Sequence, residues 1–137
     1  MNVPDSEFKS LLEKYKKFAV YGLAPDSSKA SHYVPLYMRD HGWEMVGTYP
    51  KPHDAGGFKI YNSLKEVPAE YRKFVDVFRA SDKINDVVDE ILEAGGVEVM
   101  WLQLGIENRE AELRAEKAGI KVVSNRCLII EHKKWFR

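Results

Sequence analysis

The apolar residues of this chain fall into two rhythms. Phe8, Leu11, Leu12 and Tyr15 stand at i, i+3, i+4 and i+7, one face of an amphipathic helix that Asp5 or Ser6 can cap and that should pack against a sheet edge. Directly afterwards Phe18, Ala19, Val20 and Tyr21 form an apolar run without polar alternation, as a parallel strand covered on both faces does. The two rhythms then take turns. A helix over residues 31–41, with Ser31 as its N-cap and Pro35 in its tolerant first turn, carries Val34, Leu36, Tyr37 and Met38 and ends at Gly42. A strand follows at 43–49, then a loop with Pro50, Pro52, Gly56 and Gly57, then a short strand at 59–61. A helix of one or two turns begins at Asn62 or Ser63 and stops before Pro68. Phe74, Val75, Val77 and Phe78 make a buried strand interrupted by Asp76.

In the second half, Ile84, Val87, Val88, Ile91 and Leu92 trace a stripe of helical period capped by Ser81 or Asp82, which reads as core packing alone. A strand at 97–103 leads to a helix capped by Asn108, with Ala111, Ala115 and Ala118 on its narrow inner face. A last strand at 120–124 and a short, charge-rich surface helix complete the chain. Strand and helix in regular succession predict a doubly wound, mostly parallel sheet of about five strands with helices on both faces, a three-layer α/β/α architecture.

Composition narrows the function classes. A chain of 137 residues, 45% of them hydrophobic, has material for one domain with a real core and not for two ordinary ones. Twenty-one basic residues balance twenty-one acidic ones, which argues against the polyanion-binding surface of a nucleic-acid protein. Any phosphate must therefore be held locally. Cys127 is the sole cysteine, so neither an intramolecular disulfide nor a cysteine-based zinc site can form, and a reducing cytoplasm fits. No run of about 18 apolar residues predicts a membrane span or a signal peptide. His32 and His41 lack neighbours at ligand spacing, so no metal is expected.

The candidate chemistry lies where strands end. After the first strand, Gly22, Leu23, Ala24, Pro25, Ser28, Ser31 and His32 bring backbone N–H groups and hydroxyls towards a helix N-terminus, an anion site in outline. GLAPDSS lacks the glycines of the dinucleotide fingerprint, and a plain strand-to-helix turn is the ordinary alternative. After the second strand an NAD site wants an acidic residue for the ribose 2′-OH. Here Lys51 stands instead, suited to a phosphorylated ribose, with Tyr49 and Pro50 able to wall an adenine. A solvated lysine on a bent loop would account for Lys51 taken alone. Phe78 and Arg79, then Gln103, Leu104 and Gly105, then Asn125, Arg126 and Cys127 occupy the remaining strand ends. All of these would share one rim.

With those residues in view, the chain resembles the small stand-alone CoA-binding proteins of bacteria and archaea, whose Rossmann-like domain is similar to the CoA-binding domain of succinyl-CoA synthetase. The motifs that carry the resemblance are GLAPDSSKASH, TYPK, VDVFR, WLQLGIEN and NRC with the EH that follows it, from Lys17 onward. Ala24 departs from a common serine and Tyr49 from a common asparagine, which alters individual contacts. The resemblance implies coenzyme A or acyl-CoA as the ligand. Its pyrophosphate would sit at residues 22–31, its 3′-phosphate at Lys51 and its adenine near Pro50, with the pantetheine arm running towards Phe78, Arg79 and Gln103.

NADP would satisfy the phosphate sites equally well. Two alternatives therefore stand beside a CoA carrier or sensor: an NADP-linked oxidoreductase, and a protein-interaction module that has lost its ligand. No Ser-His-acid or Cys-His pair is legible, so binding without turnover leads. Cys127 beside Arg126 reads either as an inert core cysteine or as a thiol within reach of the pantetheine thiol. Trp135, Phe136 and the first helix leave apolar surface for a second subunit, so monomer or homodimer is the expectation.

Overall fold

The computed structural model describes residues 2–51 and 53–137, so Pro52 of the predicted loop lies outside the described residues. Its strands are β1 (Lys17–Tyr21), β2 (Glu44–Thr48), β3 (Ile60–Tyr61), β4 (Phe74–Val77), β5 (Val99–Leu102) and β6 (Lys121–Val123). They form a six-stranded sheet in the order β3-β2-β1-β4-β5-β6, and every pairing is parallel. The count exceeds the expected five because the two-residue β3 joins the edge, where Gly47 pairs with Ile60 and Thr48 with Tyr61. The chain reverses its direction of travel across the sheet between β1 and β4. In open parallel sheets this is the point where a crevice opens beyond the strand ends.

The helices are α1 (Phe8–Lys14), α2 (Ala30–Asp40), α3 (Ala69–Arg72), α4 (Ile84–Ala94), α5 (Arg109–Lys117) and α6 (Leu128–Trp135). Alternate strand residues feed two apolar layers. Phe18, Val20, Phe74 and Trp101 pack with residues of α1, α2 and α6, while Ala19, Val75, Val77 and Met100 pack with residues of α4 and α5. The first helix therefore covers a face and not the expected edge. Phe8 lies 5.1 Å from the Trp101 ring, and the Trp43 indole N–H donates to the Leu12 carbonyl at 3.0 Å. Large rings on β4 and β5 would otherwise face water.

Local starts and stops differ from the expected ones for identifiable reasons. α2 begins at Ala30 with extended Lys29 before it, which puts Ser31 in its first turn and Pro35 inside the helix. Having no N–H, Pro35 leaves the Ser31 carbonyl without its usual donor four residues on. The Ala24 N–H supplies one at 3.4 Å and ties the loop after β1 to the helix. Around Pro68, a 3-10 turn at Leu64–Glu66 precedes the proline and the short α3 follows it.

Neither Ser81 nor Asp82 caps α4, which is entered through a 3-10 turn at Ser81–Lys83. Leu92 is exposed, as is Ala118, so the buried stripes stop one position short. On α5, Asn108 caps as expected, accepting from the Ala111 N–H at 3.1 Å. The terminal helix is no surface element: Leu128, Glu131 and His132 are buried. The His132 ring, packed against Tyr37, Trp43 and Phe136, has its pKa lowered by burial and then by His41 and Lys16.

Candidate functional site

The loop after β1 is drawn down onto the sheet. Gly22 has φ +89°, and a side chain there would put Cβ 2.5 Å from the Phe78 carbonyl oxygen, so only glycine lets β1 and β4 meet at this end. The N–H groups of Gly22 and Leu23 both donate to the Thr48 carbonyl, at 3.0 and 3.2 Å. Leu23 is buried, and it fits because Gly47 opposite has no side chain: a Cβ at Gly47 would lie 2.6 Å from that of Leu23.

Two imidazoles hold the next carbonyls. His53 Nε2 donates to Leu23 O at 2.9 Å and His32 Nδ1 to Ala24 O at 2.8 Å, each nitrogen being the protonated one because a carbonyl only accepts. His32 and Leu23, named from the sequence as ligand contacts, are thus buried supports of the loop. Beyond them the loop is exposed, and Pro25 lies on its surface. There Asp26 accepts from the Ser28 N–H at 2.9 Å and hydroxyl at 2.7 Å, which lowers the Asp26 pKa and occupies Ser28.

Above this floor lies a cleft of about 630 Å³, at the carboxyl ends of β1, β2 and β4. Gly22, Ala24, Ser31, Tyr49, Pro50, Lys51, Phe78 and Arg79 line it, so residues far apart in the chain meet as the strand-end pattern predicted. Sequence reasoning missed four lining residues, Tyr21, Thr48, Asn62 and Glu90, and took in Lys29 only as part of the 22–31 stretch. Lys29 and Thr48 each stand at an element boundary, where the strand-end and helix-start pattern points. That pattern does not point to Glu90, which projects from the flank of α4, whose stripe spoke only of core.

Lys29, Lys51 and Arg79 bring three cations to the cleft, and none has an ion-pair partner among the described residues. Glu90 is the one acidic residue among the described residues that line the cleft. Its Oε2 accepts from the Tyr21 hydroxyl at 2.7 Å and its Oε1 from the Leu64 N–H at 3.0 Å. Burial and then the Glu90 hydrogen bond raise the Tyr21 pKa, so the phenol stays protonated and donating.

The remaining candidates lie on the same rim outside the cleft. Gln103 is buried, its Nε2 donating to Asp76 Oδ1 at 2.6 Å. Asp76 is fully buried with Oδ2 lacking a hydrogen-bond partner among the described residues, and desolvation pushes its pKa up to about 8 against the smaller opposing effect of Gln103. Leu104 is exposed; the Gly105 N–H donates to Asn125 Oδ1 at 2.7 Å, with Asn125 at φ +58°. Gly105 therefore serves a turn that Asn125 closes. Arg126 reaches Asp5 at 3.4 Å. Cys127, the residue before α6, packs half-buried against the core beneath.

Residues 16–133 match the CoA binding domain family. The chain belongs to that family. The uncharacterized protein YneT of Bacillus subtilis is 34% identical over 131 residues, 96% of each chain. A solved structure from Thermus thermophilus is 34% identical with a TM-score of 0.87, covering 98% of this chain and 100% of that one. A hypothetical protein from Pyrococcus horikoshii is 30% identical with a TM-score of 0.90, covering 98% and 94%. The likeness to both structures extends over the whole sheet and its covering helices. Among the described residues no helix is long and apolar enough to cross a membrane.

Proposed function

We propose that this CoA-binding domain holds coenzyme A or an acyl-CoA in the cleft over β1, β2 and β4, as a carrier or sensor. The observation that supports the reading most is the set of three cations around one crevice, none with an ion-pair partner among the described residues. Coenzyme A carries a pyrophosphate and a ribose 3′-phosphate, and a neutral chain must meet that charge with local cations and helix N–H groups. Lys29, Ser31 and the start of α2 take the pyrophosphate, Lys51 takes the 3′-phosphate, and Phe78 and Arg79 guide the pantetheine arm outward.

A thermal-shift panel with CoA, acetyl-CoA, NADP and NAD tests this. Ligand at about 100 times its Kd adds about 2.7 kcal/mol to stability, a rise of several degrees in Tm for a domain of this size. CoA or acetyl-CoA should produce it and the nicotinamide nucleotides should not. A chain that ignores CoA, or responds to NADP as strongly, refutes the reading.

A further inference from the structure

The cleft joins two faces of the sheet that differ in charge. On the α2 face it is lined by Lys29 and Ser31, cation and hydroxyl. Tyr21 belongs to the layer packed with α4, and on that side the lining is Tyr21, Asn62 and the carboxylate of Glu90. Arg79 acts electrostatically on Tyr21, so a cation stands near the second end as well, and what sets that end apart is the Glu90 carboxylate. What settles against the Glu90 carboxylate itself must donate hydrogen bonds.

Glu90 is built for that task. The Leu64 N–H holds one carboxylate oxygen and the Tyr21 hydroxyl holds the other. Each oxygen keeps a further lone pair, because a carboxylate offers about four acceptor sites. No Lys, Arg or His pairs with Glu90 among the described residues. Asn62 adds a donor and an acceptor on the same wall.

Resting on the reading of a bound CoA, we infer that Glu90 determines base specificity, accepting a hydrogen bond from the exocyclic amine of adenine and rejecting purines with a 6-oxo group. Adenine presents N–H donors at that position. Hypoxanthine presents a carbonyl oxygen, and two acceptors facing one another in a cleft lose the hydrogen bond and repel.

The test is titration calorimetry with CoA and with its hypoxanthine counterpart, in which the amine is replaced by a carbonyl. The wild-type chain should bind CoA about tenfold tighter or more. In Glu90→Gln the amide can donate to the 6-oxo group, so the ratio should fall to within about twofold. The Tm of the unliganded variant reports its folding, and the wild-type pair of ligands carries the test even if that variant is unstable. Equal affinity of the wild-type chain for the two ligands overturns the inference, as does an unchanged ratio in a folded Glu90→Gln protein. CoA binding without base preference defeats this inference alone, whereas failure to bind CoA at all defeats the functional reading and this inference with it.

Discussion

The two halves of the sheet's carboxyl rim are made of similar turns with opposite outcomes. Beyond β5 and β6 the polar groups satisfy one another: the Gly105 N–H meets Asn125, the Arg126 N–H meets the Leu102 carbonyl at 3.2 Å, and the Trp101 indole meets the Arg126 carbonyl at 2.9 Å. Beyond β1, β2 and β4 the supports come from below. His32, His53 and Thr48 engage the backbone of residues 22–24, while Lys29, Lys51 and Arg79 have no ion-pair partners among the described residues. A strand end keeps polar groups available to a ligand when its loop is anchored by groups facing the core, so that those facing outward have no internal duty. Where loops anchor each other across the rim, no such groups are left.

The largest expected effect lies where the two halves meet, at Asp76 of β4, which accepts from Gln103 beyond β5. Asp76, with its pKa raised to about 8, keeps its proton in the folded chain between roughly pH 4 and 8, while the unfolded chain has lost it. Because the folded state binds more protons at this group, the Asp76 contribution to stability is fully present below about pH 4 and is lost as the pH rises towards 8, by on the order of 5 kcal/mol in all. Asp76→Asn should remove that slope and leave the variant the more stable protein near pH 8. Denaturant melts across pH check this, and an equal slope in both proteins would place the charge elsewhere.

Next comes the open half. Gly22→Ala meets the Phe78 carbonyl and an unfavourable φ, and should cost about 3 kcal/mol of stability, read as a lower urea midpoint, together with a weaker ligand response. The smallest effect is also the most specific: Lys51→Ala should weaken CoA about tenfold yet leave 3′-dephospho-CoA nearly unchanged, by calorimetry at one salt concentration. Equal losses for the two ligands would remove Lys51 from the 3′-phosphate.

Much of the fold was legible because hydrophobic period and turn residues are local properties. The order of elements and the parallel sheet followed from apolar runs alternating with stripes of helical period. Boundaries were less so. Pro35 in mid-helix is tolerated because Ala24, eleven positions earlier, supplies a donor to Ser31, and no local pattern announces that.

On the site, strand ends alone pointed to Gly22, Tyr49, Lys51 and Arg79, and the structure brings these to one cleft. The same rule also pointed to Gln103, Asn125 and Cys127, which lie outside that cleft. Position after a strand does not say whether a neighbouring loop will take up the polar groups.

The amino-acid order by itself determined the succession of strands and helices, the absence of an acidic residue where an unphosphorylated ribose would need one, and the presence of Lys51 there. Only the tertiary structure decided which half of the rim stays open and that Glu90 reaches it. Tyr21 and Glu90 stand 69 positions apart and meet because β1 and α4 pack on each other. Such contacts depend on how layers stack, which the periodicity of a single segment does not encode.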